Sequence, residues 1–275
     1  MKPMKIIAFL NNKGGVGKTA SATTVAHMLA TKFQQKVLQI DLDPQGNTSS
    51  LYDEMDVISI LKGMLTHTPI DNPEKTVEDL FIDSELDIHK TIKHTEYPNL
   101  DIIPALLTLA EIEEQLKADI RLPQQFRLKN HLKAIQDEYD FCILDCSPSI
   151  SIININGLAA ANDVYIPLRC DAWSSIGMCI ARNLIETVQM YNSDLTLKGV
   201  FFTQWEARKM VSQNIYKILL AFLKDLLLPC TIRKSARIEE LSYLQKPLLA
   251  YDPNAREGVT KDYLALTEYI FKNSK

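Results

Sequence analysis

Cysteine is sparse in this chain and poorly placed for a metal framework. The five cysteines, Cys142, Cys146, Cys170, Cys179 and Cys230, are odd in number and scattered, and no C-x-x-C pair occurs. That spacing argues against zinc and iron–sulfur sites and fits reduced thiols in a cytoplasmic protein, mostly buried as small apolar residues. Long apolar runs are also missing. No stretch approaches the roughly 18 residues of a membrane span. The opening MKPMKIIAFLNN contains an apolar run too brief for a signal peptide. There is no surplus of positive charge either: 30 Lys and Arg against 34 Asp and Glu give a net charge of −4. This speaks against a globally basic nucleic-acid binder but leaves room for a local basic patch. Repeats, low-complexity tracts and linkers are absent, so one domain over 1–275 is the simplest organisation.

What is present suffices for a core. Apolar residues make up 46% of the chain and charged residues 23%, ordinary globular values. KIIAFLNN (5–12) is a short apolar run ending at a glycine loop. Residues 17–33 follow with Val25, Met28, Leu29 and Phe33 at helical spacing, and KVLQIDLD (36–43) is the next strand-like run. Strand, loop, helix, strand is the unit of a parallel sheet. Further strands are predicted at 99–105, 139–146, 163–168 and 197–204. Helices are predicted near 104–118, 124–138, 152–161, 174–191 and 209–228. The alternation predicts an α/β fold, a doubly wound, mostly parallel sheet with helices on both faces. Residues 44–98, with Pro69, Pro73 and Pro98, are less regular and are expected to form an excursion with short helices.

The loop NNKGGVGKTA (11–20) departs from the G-x-x-x-x-G-K-[ST] phosphate loop: Gly17-Lys18-Thr19 is present, but Asn12 stands where the first glycine belongs. A strand running through glycines into a helix still presents backbone N–H groups and a positive helix end to an anion. Lys13, Gly14, Gly15, Val16, Gly17, Lys18, Thr19 and Ala20 are therefore the candidate nucleotide-binding residues. Lys18 is predicted to contact the β- and γ-phosphates and the Thr19 hydroxyl to bind Mg²⁺. Such an ion needs carboxylate oxygens nearby. FCILDCSPS offers Asp145 at a strand end, and QIDLDPQGN offers Asp41 and Asp43, whose spacing points both to one side. Thr19, Asp41, Asp43 and Asp145 form the candidate metal set. Asp43 is expected to orient the attacking water, and Asp41 to support the metal from behind its direct ligands.

KGGVGKT, DLDPQGN and ILDCSPS, in this order and spacing, resemble the ParA/Soj family of deviant Walker ATPases, relatives of MinD. NLDIIPA, NGLAAANDVYIPLRCDAWSSIGM and IRKSARIEELSYLQKPLLAYDPNAREG extend the resemblance over nearly the whole chain. It implies an ATP- and Mg²⁺-dependent ATPase with weak basal activity. It also implies that Lys13 is a signature lysine that acts on the phosphates held by the other subunit of an ATP-dependent homodimer. Lys13, Lys18 and Asp43 are then the catalytic candidates. The absent glycine at Asn12 is no defect, since the family's loop begins at the lysine.

The resemblance further implies a nucleoid-associated partition protein that binds double-stranded DNA without sequence preference and is released by a ParB-like activator. Residues 198–237 hold eight basic residues against Glu206 and Asp225. Arg208, Lys209, Arg233, Lys234 and Arg237 are the candidate DNA contacts, with Glu239 and Glu240 opposing them locally. The string I-R-K-S-A-R departs from the family here. Thr203 and Gln204 are candidate contacts to the base. Alternatives are a ParA-like positioning ATPase for a non-DNA cargo and a MinD-type membrane ATPase. The latter would end in a basic amphipathic helix, whereas Val259, Tyr263, Leu266 and Ile270 near the C-terminus read as one face of a core helix.

Overall fold

Alternation of side chains along the central strands sets the architecture. The computed structural model describes residues 3–52, 65–66, 74–119 and 123–274. Within them one sheet contains β1 (Lys5–Phe9), β2 (Val37–Leu42), β3 (Lys93–His94), β4 (Leu100–Ile103), β5 (Phe141–Cys146), β6 (Asp163–Leu168), β7 (Thr196–Trp205) and β8 (Leu227–Arg233). Their order is β3-β4-β2-β5-β1-β6-β7-β8. Every pairing is parallel except β3 with β4. β1 lies between β5 and β6, so the strand order changes direction there. In open α/β sheets that switch point is where ligands bind.

The helices that cover this sheet include α1 (Lys18–Thr31), α2 (Ile152–Ala160), α3 (Ala172–Gln189), α4 (Met210–Leu223) and α5 (Gly258–Asn273). Leu38, Ile40 and Leu42 of β2 and Cys142, Leu144 and Cys146 of β5 share one apolar layer with buried residues of α2, α3 and α4. The alternate residues Val37, Phe141 and Ile143, with Ile7 and Phe9 of β1, share the other with α1 and α5. Strands covered on both faces read as unbroken apolar runs, which is why β2, β5 and β6 are easily seen in the sequence. The predicted doubly wound α/β fold is the one observed.

Several boundaries differ from expectation. The helix predicted over 209–228 ends at Leu223, Lys224 takes a positive φ of 48°, and LLPCTIR becomes β8. AFLKDLLLPCTI is apolar on both sides of that break, so periodicity gives no signal for it. Pro229 is tolerated because β8 is an edge strand. The helix predicted at 104–118 begins only at Leu109, and that at 124–138 is broken into 3₁₀ turns flanking Arg127–Leu132. In the excursion, 53–64 and 67–73, with Pro69 and Pro73, lie outside the described residues. The described part holds short helices at Ser49–Tyr52 and Val77–Ile82 and the unpredicted antiparallel β3.

The terminal helix α5 packs against α1 and β8, with Val259, Tyr263, Leu266 and Ile270 all buried. The Tyr263 and Ser21 hydroxyls are 3.3 Å apart, and the Phe33 and Phe271 rings 4.7 Å. Its apolar stripe is spent on the core, as expected of a core helix.

Candidate nucleotide-binding site

Register delivers the motifs to one edge. Asp145 of β5 stands opposite Asp41 of β2 on one side and Phe9 of β1 on the other. The loop after β1 and both strand-end acids therefore meet at the C-terminal edge of the sheet. Gly15 and Gly17 have φ of 70° and 83°, a left-handed conformation that costs other residues about 1–2 kcal/mol. A Cβ at Gly14 or Gly15 would meet nothing within 4 Å, so the loop borders open space there. Strand β7 holds the loop from behind. The Thr203 hydroxyl donates to the Val16 carbonyl at 2.7 Å, and Gln204 Nε2 to the Gly15 carbonyl at 3.0 Å. With its carbonyls tied back, the loop is free to turn its N–H groups outward. No acidic residue occupies the first turn of α1, so no side chain there offsets its positive end.

The charged groups divide by burial. Lys18 is only 6% exposed, and its Nζ donates to the Lys13 carbonyl at 3.2 Å. Burial lowers its pKa, while Asp145 and Asp43 oppose the shift. Lys13 is exposed on the rim. Asp145 is fully buried; burial raises its pKa, while the Thr48 and Thr19 hydroxyls and Lys18 pull it back. Thr48 Oγ1 donates to Asp145 Oδ2 at 2.8 Å, whereas Oδ1 accepts no hydrogen bond.

The Asp41 carboxylate is held by the turn after β2. Its Oδ1 accepts the Asp43 N–H at 3.0 Å, and its Oδ2 accepts the Ser49 N–H at 2.9 Å and hydroxyl at 2.7 Å. Ser49 Oγ in turn accepts the Ala105 N–H. Asp41 is therefore a brace for the turn after β2, with both oxygens engaged. Burial and the neighbouring Asp145 raise its pKa. The strand ends at Leu42 and Asp43 already belongs to the turn, where its Oδ1 accepts the Gln45 N–H.

A cavity of about 440 Å³ opens over these groups, lined by Gly14, Gly15, Gly17 to Ala20, Asp43, Gln45, Pro148 and Lys246 among others. Its size suits a small-molecule ligand. A smaller recess shares Gly17, Ala20 and Ile238 with it and is walled by Ile232 and Ser235. Thr203 and Gln204 border that recess, with the Thr203 hydroxyl and Gln204 Nε2 holding the loop carbonyls.

Sequence reasoning missed Thr48, Ser49 and Lys246. The hydroxyl run Thr48-Ser49-Ser50 directly after the DLDPQGN turn was the visible signal for the first two.

The five basic candidates are partly brought together. Strand pairing sets Trp205 beside Arg233, and the Lys234 N–H donates to the Trp205 carbonyl, so Arg208, Lys209, Arg233 and Lys234 share one sheet corner. They do not form an unopposed patch. Arg233 makes two bonds to Asp262 at 2.7 and 2.9 Å, and Lys209 pairs with Glu206 at 2.6 Å. Arg237 bonds Glu240 and lies 4.4 Å over the Tyr251 ring. Arg208 and Lys234 are exposed.

A glycine loop between β1 and α1, a buried lysine within it and a strand-end aspartate at the switch point define a P-loop nucleotide-binding α/β protein. Residues 4–197 match the family model AAA_31, an AAA domain. The chain is 34% identical over 270 residues to the sporulation initiation inhibitor protein Soj of Bacillus subtilis, covering 98% of this chain and 99% of that protein. It is 32% identical over 262 residues to the chromosome-partitioning ATPase Soj of Treponema pallidum, covering 95% of each. A putative plasmid partition protein of Borrelia burgdorferi, solved with AMPPNP, superposes with a TM-score of 0.77 at 25% identity over 99% of this chain and 100% of that one. This chain belongs to the Soj/ParA family of partitioning ATPases.

Proposed function

We propose that this protein is a single-domain, Mg²⁺-dependent partition ATPase. Its ATP-bound form is a sandwich homodimer that binds duplex DNA without sequence preference and lets go when a ParB-like activator stimulates hydrolysis. It works on the nucleoid in the cytoplasm. The observation that carries this reading is a division of labour between two lysines of one loop. Lys18, 6% exposed, is turned into the loop, whereas Lys13 is exposed on its rim. The buried cation suits the phosphates of the subunit's own ATP. The exposed one suits those of a partner.

The residues supply the steps. Loop amides and Lys18 hold the β- and γ-phosphates in a poorly hydrated site, where charge interactions are strong. The buried, unpartnered Asp145 Oδ1 and the Thr19 hydroxyl suit an oxygen-seeking cation. Among the described residues no cluster of three His, Cys, Asp or Glu forms a cage, which fits an ion that draws most of its ligands from substrate and water. Bound there, Mg²⁺ neutralises phosphate charge. Asp43, with Oδ1 taken by the Gln45 N–H, uses Oδ2 to orient the water that attacks the γ-phosphate, giving ADP and phosphate. Lys13 of the partner stabilises the charge that develops, so turnover is weak until the dimer and its activator are in place. The recess at Ile232 and Ile238 takes the base.

Binding to random-sequence duplex DNA with ATP, with ADP and without nucleotide, over a salt series, tests the proposal. Tight, salt-sensitive binding confined to ATP is expected, because phosphate neutralisation releases counterions. Absence of binding in all three states would break the link from dimer to DNA.

A further inference from the structure

Asn11 lies just upstream of Lys13 and is fully buried. Its Oδ1 accepts the Lys13 N–H at 3.0 Å, and its Nδ2 donates to the Pro167 carbonyl of β6 at 2.8 Å. The Lys13 carbonyl meanwhile accepts Lys18 Nζ at 3.2 Å. Both backbone polar groups of Lys13 are therefore held while its side chain stands in the open. A third restraint comes from α3. A Cβ at Gly177 would lie 2.5 Å from Asn11 Oδ1 and 3.0 Å from both Lys13 N and Lys13 Cβ. A glycine inside a helix costs about 1 kcal/mol relative to alanine. Here it is required, because α3 passes against the Asn11–Lys13 pair with no room for a methyl group.

A buried amide is an expensive filler where an apolar side chain would pack as well, and this one spends both ends on fixing a single backbone position against a central strand. A lysine that must reach across a subunit boundary has four rotatable bonds. The one part of it the protein can aim in advance is its backbone, and small misplacements of a reacting charge are costly.

We propose that Asn11, backed by Gly177, is the positioning residue for Lys13. This rests on the trans role of Lys13 argued above. The contact of Lys18 with the Lys13 carbonyl belongs to the empty loop. When phosphates take Lys18, that carbonyl is released, and Asn11 is the restraint that persists. Phosphate binding in one subunit thus frees one end of the Lys13 backbone while the other end stays anchored to β6.

The test uses the full chain and the variants Asn11→Ala, Gly177→Ala and Lys13→Ala. Three quantities are read: affinity of the dilute monomer for a fluorescent ATP analogue, ATP-dependent dimerisation by sedimentation, and amide hydrogen exchange at Lys13. Asn11→Ala should leave nucleotide affinity within about twofold and weaken dimerisation about tenfold, the scale of one lost hydrogen bond. Its Lys13 amide should exchange faster. Gly177→Ala, which removes no polar group and raises helix propensity, should weaken dimerisation in the same selective way. The double variant should lose less than the two single losses combined, since the nearest obstacle to the new methyl is gone. Normal dimerisation of Asn11→Ala beside a failed Lys13→Ala overturns the proposal, as do equal losses of nucleotide affinity and dimerisation. Should Asn11→Ala fail to fold, normal dimerisation of Gly177→Ala overturns it alone. If Lys13→Ala itself dimerises normally, the trans reading is what falls, and the exchange rate at Lys13 still decides whether Asn11 holds it.

Discussion

His27 makes this fold acid-sensitive in a way that can be measured. It sits on α1, 3% exposed, with its ring 4.6 Å from that of Tyr97 in an edge-on arrangement. Neither ring nitrogen has a hydrogen-bond partner. Burial without a partner disfavours the charged ring and lowers its pKa from 6.5 to about 4. Between those values the folded protein binds fewer protons than the unfolded chain. The stability due to the neutral ring is therefore full above pH 6.5 and is lost as pH falls toward 4. The gap amounts to about 3 kcal/mol, a large part of the roughly 5–15 kcal/mol of a typical domain. The buried acids Asp41 and Asp145, whose values are raised, change stability in the opposite sense, losing it as pH rises. The informative quantity is thus the difference between wild type and His27→Phe, in which those contributions cancel. Urea denaturation at intervals from pH 4 to 7.5 should show the two curves diverging by about 3 kcal/mol toward acid. Near pH 7 the variant should be as stable as wild type or more so, because two unpaired nitrogens are gone. Parallel curves, or an NMR titration of His27 with its midpoint near 6.5, would refute the reasoning.

Asp43→Ala should lower single-turnover ATP hydrolysis by about a hundredfold or more and leave a persistent ATP-bound dimer; normal turnover would remove Asp43 from the mechanism. Asp41→Ala should leave the Asp43 N–H and the Ser49 N–H and hydroxyl without their acceptor. At about 1–3 kcal/mol for a buried orphan donor, urea denaturation should report a loss of about 3 kcal/mol or more, and a smaller loss than that of Asp43→Ala would contradict its role as a brace. Tyr263→Ala, at a fully packed position of α5, should cost about 3–5 kcal/mol in thermal or urea unfolding; a change below about 1 kcal/mol would show that the terminal helix is not part of the core.

The glycine loop, the strand-end acids and the central strands were legible because their signals are local. A doubly buried strand is a short apolar run, and a phosphate loop is a string of glycines and lysines. Signals that depend on other parts of the chain were not. β8 follows the apolar end of α4 closely, and a single 3₁₀ turn, opened by the positive φ at Lys224, separates them. Asp41 and Asp43 look equivalent by spacing, yet the strand ends between them. The basic residues of 198–237 count as a cluster in sequence, but Asp262 and Glu257, far along the chain, come back to meet Arg233 and Arg237. The part played by Asn11 depends on β6 and α3, which meet it from far along the chain.

The first strand of the chain has the longest wait. β1 lies between β5 and β6, so Lys5 finds its neighbour Phe141 and Ile7 finds Asp163 only after a long stretch of intervening chain has been made. The helix behind the loop waits longer still, for Tyr263 to reach Ser21. On a ribosome adding about 5–20 residues per second, the lysines and glycines of the loop are made many seconds before the strands and helix that support them. A chain interrupted before α5 would carry the whole nucleotide signature without its support. The order of the sheet thereby ties a competent site to strands made well after the loop itself.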